Sequence, residues 1–266
     1  TMRLLSLAVS AKLSPGRKKY FSQEAARTLK VSRLSSYLNL SEVEATLIGA
    51  APLSPVVSLL VGPIFRKLAQ NERSLFAFLA SQERHGFVDV LSRQQNESKL
   101  LRYGLEHLFD YLMTTIGPTL LHGRDSLFWA EAETVIQRCE GGSPLQIPLI
   151  KIISLIGYVG SFVGLRANSE VLSIVLGVPQ KEIDCEVEKL VMQKLISFRP
   201  FDKEYVLWQG SDFDLEHWLK QARASISNQI SVAELLTQSI VSHPLMARRH
   251  AYQTGTSRFV EAIYVS

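Results

Sequence analysis

The side chains equipped for chemistry are few in this chain, and they are scattered. The six histidines, His85, His107, His122, His217, His243 and His250, stand far apart, so a metal site would need ligands from distant segments. Two cysteines, Cys139 and Cys185, cannot build a disulfide framework and fit a reducing compartment. The densest basic groups are Arg17-Lys18-Lys19 and Arg248-Arg249-His250. Both have the charge to meet phosphates, and Arg248 and Arg249 are the candidate nucleic-acid contacts, although short basic runs are usually solvated surface. Asp212 and Asp214 follow a glycine-serine turn, where Ser211 or Asp212 would cap a helix. Gln70, Asn71, Glu72 and Arg73 form a polar cluster between two apolar helical stretches. There Asn71 would cap the second helix, and Glu72 and Arg73 would pair locally.

Self-contained catalytic motifs are missing. The sequence holds no G-x-x-x-x-G-K-[S/T] phosphate loop, no G-x-G-x-x-G after a strand, no H-E-x-x-H, no C-x-x-C and no G-x-S-x-G elbow. No catalytic residue and no metal ligand is therefore assigned.

The background is that of an ordinary globular chain: 266 residues, 46% hydrophobic, 20% charged, with a net charge of +4. This excludes wholesale disorder and permits one large or two small domains. With 29 basic against 25 acidic residues, a nucleic-acid patch is allowed but not demanded. The most apolar run, 152–165, is shorter than the roughly 20 residues a membrane span needs. The run at 4–9 has no convincing cleavage pattern after it. The reading is a soluble, cytoplasmic chain with no membrane partner.

The elements that must position these residues are mostly helical. Ser41 and Glu44 have the spacing of a capping box. Val57, Leu60, Val61, Ile64, Phe65 and Leu68 recur at steps of three and four, with Pro63 expected to kink or restart that helix. Leu101, Leu105, Leu108 and Leu112 mark another, which Gly117-Pro118 should stop. A further helix over 127–139 ends at Gly141-Gly142-Ser143-Pro144, the strongest break in the chain. The second half has helices over 149–158, from Asn168 or Ser169 to Leu176, and from Pro179 to about Leu195. Two short strands follow, 196–199 and 204–208, rich in aromatic and β-branched residues. Three helices and then a β-hairpin is the order of a winged helix. Helices are expected again over 213–225 and 232–241, and 257–265 alternates like a strand in need of a partner.

Three segments carry a family resemblance. They are 65–79 with its string Gln70-Asn71-Glu72-Arg73-Ser74-Leu75-Phe76-Ala77-Phe78-Leu79; 205–214 with Trp208-Gln209-Gly210-Ser211-Asp212-Phe213-Asp214; and 247–259 around Arg248-Arg249-His250. In order and content they resemble the region after the nucleotide-binding core in large bacterial P-loop ATPases of AAA+/STAND type, several of them associated with anti-phage defence. Gln209 stands where that pattern would have an acid.

The resemblance covers about 41–265, and with the element order it gives a mainly α fold: after an N-terminal segment over 1–40 that neither defines, a helical lid-like domain over 41–142, a winged-helix domain over 143–212, and a helical extension over 213–266 ending in a strand. It implies ATP or ADP with Mg²⁺ as cofactor, bound mostly by residues outside this chain. Arg73, with Gln70 and Asn71 beside it, would sense the nucleotide, the arginine stabilising phosphate charge. The implied partners are an ATPase core or effector domain and further copies in an oligomer. DNA is the less favoured partner. The third helix of the second half carries Glu182, Asp184, Glu186 and Glu188 against Lys181 and Lys189, and a helix facing phosphates should not be net negative. The rival readings are a winged-helix DNA-binding regulator and a protein-interaction adaptor without a nucleotide.

Overall fold

The computed structural model describes residues 2–9, 14–32, 40–68, 72–94, 101–122, 125–139, 141–208 and 244–261, with scattered positions between 219 and 239. The chain divides into two units, Thr1–Gln209 and Gly210–Ser266. As its periodicities predict, it is mainly α-helical. The first unit holds α1 (Met2–Val9), α2 (Pro15–Val31), α3 (Leu40–Gly49), α4 (Pro55–Lys67), α5 (Glu72–Ala80), α6 (Phe87–Gln94), α7 (Leu105–His122), α8 (Ser126–Arg138), α9 (Gln146–Val159), α10 (Ser169–Leu176) and α11 (Gln180–Met192). The strands β1 (Ile196–Arg199) and β2 (Glu204–Leu207) close it.

Local chemistry explains most boundaries. Ser54 starts α4: its hydroxyl accepts from the Val57 amide at 3.3 Å, and Pro55 takes the first turn, where no intrahelical amide partner is needed. Asn168 caps α10 by accepting from the Val171 amide at 2.9 Å. Gly177 closes α10 at φ 68°, a left-handed position that glycine takes without Cβ strain. Pro179 lies immediately before α11.

Three expectations about helices are corrected by packing. α4 continues through Pro63, because most of its residues are buried and the surrounding core holds the helix in one piece. α7 continues through Gly117 and Pro118 to His122, with Leu105, Leu108, Leu112 and Leu120 all buried on one core, so a single apolar face spans the break. Ser41 and Glu44 lie inside α3, which begins at Leu40. The Glu44 carboxylate instead accepts from the Ser22 hydroxyl of α2 at 3.4 Å.

α9 is the centre of the unit. It contacts α4, α7, α8, α10, α11 and β2, and one apolar core runs from Leu5 of α1 to Leu207 of β2. The 141–144 break forms the connection between α8 and α9 inside this unit. With the 3₁₀ turn that follows it, α9 forms an 18-residue stretch, Gln146–Val163, apolar enough by composition to cross a membrane, and it is longer than the sequence run indicates. It is 67% buried inside the protein, as a core helix should be, and no second helix among the described residues passes that test.

β1 and β2 form the expected antiparallel hairpin, in the register Ile196 to Leu207 and Arg199 to Glu204. The Tyr205 amide donates to the Ala167 carbonyl at 2.7 Å, fastening the hairpin to the segment that leads into α10. In the second unit, β3 (Leu245–Met246) pairs antiparallel with β4 (Phe259–Val260), and α12 (Arg248–Thr254) connects them. The C-terminal strand thus finds its partner within the chain. The helices expected over 213–225 and 232–241 fall almost wholly outside the described residues.

Candidate functional site

The nucleotide-sensing candidates belong to the connection from α4 to α5. Gln70 and Asn71 lie outside the described residues. Arg73 is in the first turn of α5, and its side chain is likewise outside them. What the structure describes is the base on which this connection stands. The ammonium of Lys67, the last residue of α4, donates to the Tyr158 carbonyl of α9 at 3.1 Å and sits 3.7 Å above the Tyr158 ring. The Tyr158 hydroxyl donates to Asp125 Oδ2 at 2.7 Å. Burial and the Asp125 carboxylate together hold this phenol well above its ordinary range, so it stays a donor. Phe128 stacks on the same ring at 5.1 Å, and Trp129 meets it edge-on at 5.1 Å. Lys67 is therefore committed twice, and the end of α4 is pinned to α8 and α9.

A second polar cluster lies deeper. Arg102 donates to Glu24 of α2 at 2.6 Å and 3.2 Å, and to the Val175 carbonyl of α10 at 2.5 Å. Burial pulls the guanidinium down, and the charge and hydrogen bonds of Glu24 more than restore it, so it stays above its ordinary value. Gln94 of α6 braces the Arg102 backbone from both sides, accepting from its amide at 2.9 Å and donating to its carbonyl at 3.0 Å. Nearby, Lys151 of α9 pairs with Asp110 of α7 at 2.6 Å. His107 Nε2 stands 3.6 Å from Glu106, whose other carboxylate oxygen is buried without a partner among the described residues. Burial lowers the His107 pKa. The Arg102–Glu24 and Lys151–Asp110 pairs tie together elements far apart in the chain.

In α11, Glu186 turns inward. Its carboxylate accepts from Lys189 at 2.7 Å and from Gln146 of α9 at 3.0 Å, and the Lys189 hydrogen bond holds its pKa down against burial. One of the four acids counted on this helix is thus structural. The outward face still carries Glu182 and Glu188, with Lys181 as the cation not already bound to Glu186. At the hairpin tip, Arg166 reaches Asp202 at 2.7 Å and Glu204 at 3.5 Å.

The two basic groups fall in different units. Lys18 and Lys19 are exposed at the start of α2, with Arg17 half-buried, while Arg248 and Arg249 are exposed on α12 with His250 half-buried. Asp212 and Asp214 lie outside the described residues. Cys139 is buried, which pushes its thiol pKa up, and it contacts Gln146 at 3.6 Å. Cys185 is exposed. Among the described residues, no group of three or more histidine, cysteine, aspartate or glutamate side chains is placed to hold a metal.

Two surface cavities open among the described residues. One, of about 280 Å³, opens between α2 and the α10–α11 turn, lined by Tyr20, Glu24, Arg27, Ile174, Val178 and Pro179. The other, of about 160 Å³, lies where α8, α9 and the hairpin meet, lined by Phe128, Glu131, Gly157, Arg199, Val206 and Leu207.

Arg102, Glu24, Lys67 and Tyr158 escape a reading of the sequence, because each acts through a partner far away in the chain. One signal is present: Lys151 stands alone between Ile150 and Ile152 in an apolar run, a place where a cation needs a buried acid. Compared with protein families, curated proteins and solved structures, the chain matches none.

Proposed function

We propose that this chain is the regulatory, coupling portion of a P-loop ATPase of AAA+/STAND type, with residues 41–142 as the lid and 143–212 as a winged helix. The reading begins from the resemblance of its three segments. One structural observation supports it further: Lys67 bound to Tyr158. The connection carrying Gln70, Asn71 and Arg73 starts at Lys67, and Lys67 is fastened to the first helix of the three-helix and hairpin block. A change at that connection would reach α9 directly, and only contacts that differ between nucleotide states could drive it. In this reading ATP or ADP with Mg²⁺ is bound mainly by a P-loop core, Arg73 meets the phosphates, and the block passes the state to an effector in a cytoplasmic oligomer within bacterial defence. The net acid on the outward face of α11 favours a protein contact over DNA.

The test is calorimetric titration with ATP and ADP plus Mg²⁺, on this chain alone and on the chain joined to a P-loop core encoded upstream of it. Binding by the joined protein only, weakened about tenfold or more by Arg73→Ala, is the expected outcome. No binding by either protein overturns the reading.

A further inference from the structure

Gly157 stands in the last turn of the core helix, two residues before Val159, and without the positive φ of a glycine cap. Glycine weakens a helix, and here no close approach requires it: a Cβ at this position would meet no atom of a neighbouring element or side chain within 4 Å. The space it leaves is the floor of the 160 Å³ notch between α8, α9 and the hairpin. A cavity of about 150 Å³ accepts a benzene-sized group. The notch has the size for one aromatic ring, and Phe128, Val206 and Leu207 give it apolar walls.

The same hairpin presents such a ring. Phe201, at the turn between β1 and β2, is 98% exposed, the most exposed large apolar side chain among the described residues. Its loop is held ready, because the neighbouring Asp202 is tied to Arg166 at 2.7 Å. The two features offer one pair of opposite charges, Lys203 and Glu131, with Arg199 as a cation also lining the notch. Lys203 is exposed beside Phe201, Glu131 is on the rim of the notch, and neither makes an ion pair among the described residues.

We propose that the occupant of the notch is Phe201 of a second copy of this chain. Arg199 and Val206 of the hairpin line the notch, and Phe201 tips the same hairpin. Two hairpins laid antiparallel across a two-fold axis put the tip of each beside the strands that line the notch of the other, so one docked ring entails its symmetric equivalent. Lys203 of each copy then faces Glu131 of the other. The inference does not rest on the nucleotide reading, and it holds or fails separately from it.

The test is sedimentation velocity on the whole chain over about 1–100 μM, a span that brackets micromolar dissociation constants. The expected result is a shift from one-copy to two-copy mass. Phe201→Ser removes the ring at no cost to the fold, and Gly157→Leu fills the notch from within. Each should weaken association about thirtyfold or more, as loss of a buried aromatic anchor does. Far-UV circular dichroism should be unchanged for both, and the thermal midpoint unchanged for Phe201→Ser and unchanged or higher for Gly157→Leu. Mixing the two variants is the decisive arm. The ring of the Gly157→Leu copy fits the open notch of the Phe201→Ser copy, so a heterodimer should form at concentrations where neither variant self-associates. One-copy mass throughout, a dimer that both variants leave intact, or no heterodimer in the mixture would each overturn the proposal.

Discussion

The Arg102 guanidinium meets the Glu24 carboxylate 2.6 Å away, with side chains only 13% and 6% exposed, and the same Nη2 also donates to the Val175 carbonyl at the end of α10. Three segments distant in sequence depend on one side chain. Removing that side chain leaves a buried carboxylate with no counter-charge and a carbonyl with no donor. Arg102→Leu should therefore cost about 3–5 kcal/mol in urea unfolding. The double variant Glu24→Leu with Arg102→Leu should cost clearly less, because it leaves no orphaned charge. A double variant as unstable as the single one would show that packing of the guanidinium, not pairing, matters most.

The Lys67–Tyr158 contact can be dissected the same way. Tyr158→Phe keeps the ring under the ammonium and the backbone carbonyl it binds, but leaves Asp125 without its donor. A loss of about 1 kcal/mol is expected from that hydrogen bond. Lys67→Ala removes both the carbonyl bond and the ring contact, and should cost about 1–2 kcal/mol. Thermal unfolding of the two single variants and the double variant will show whether the effects add, as they should if the hydroxyl serves Asp125 and the ring and carbonyl serve Lys67; clear non-additivity would mean that the hydroxyl bond also sets the ring under the ammonium.

These two contacts also show what the sequence could and could not reveal. The hairpin was legible, since 196–199 and 204–207 have β-branched and aromatic residues on either side of a proline turn. So were α10 and α11, framed by Asn168, Gly177 and Pro179. Those signals are local: a cap or a turn is decided by neighbours a few residues away. Arg102 and Glu24 are 78 positions apart, and Lys67 and Tyr158 are 91 apart, so no local pattern announces either pair. Local signals also misled where burial outweighed them. Pro63 reads as a kink or restart and Gly117-Pro118 as a stop, yet each sits in a helix whose apolar face continues on the far side. Of the candidate nucleotide cluster, the sequence supplies the residue types and the structure supplies the anchored α4 end before it.

The pH dependence of stability follows from His107 and Glu186. Burial lowers the folded His107 pKa below its ordinary 6.5, so the unfolded chain binds the proton first. Stability from this group is complete above about 6.5 and is lost as pH falls through that value toward the folded pKa. The groups around the ring work against one another: Glu106 and Asp110 favour the proton, while Lys151 and Arg102 oppose it. Glu186 has its pKa held below the ordinary 4.5, chiefly by Lys189, so its contribution is present above 4.5 and is lost as pH falls below it. Unfolding midpoints should therefore drop in two stages on acidification. His107→Gln should flatten the first stage and Glu186→Gln the second. A profile that His107→Gln leaves unaltered between 6.5 and 4.5 would remove His107 from the account.

Gly157 offers a check on the helix itself, independent of association. With open space at this position, Gly157→Ala gains helix propensity and meets no clash. Stabilisation of up to about 0.5 kcal/mol, less than in a helix interior because Gly157 lies in the last turn, is expected in chemical denaturation performed at concentrations where the chain is a single copy. A destabilised variant would mean that this stretch of α9 needs the freedom of glycine, and the notch would then be a by-product of backbone demands.

The last prediction concerns the outward face of α11. Glu186 points inward and occupies Lys189, which leaves Glu182 and Glu188 facing out with Lys181. Such a face repels a phosphate backbone, because duplex binding draws on cations that displace counterions, with log K falling by about 0.9 per phosphate for each tenfold rise in salt. The chain should therefore show no salt-dependent change in fluorescence anisotropy with a labelled duplex. Replacing Glu182→Lys and Glu188→Lys together reverses the sign of that face, and it should create weak binding that disappears as salt is raised. That gain would show that shape never barred the duplex and charge did. If the unaltered chain already binds with a steep salt slope, the cations responsible lie elsewhere, and Arg248→Ala with Arg249→Ala then tests whether α12 supplies them. In that event the coupling reading gives way to the DNA-binding one.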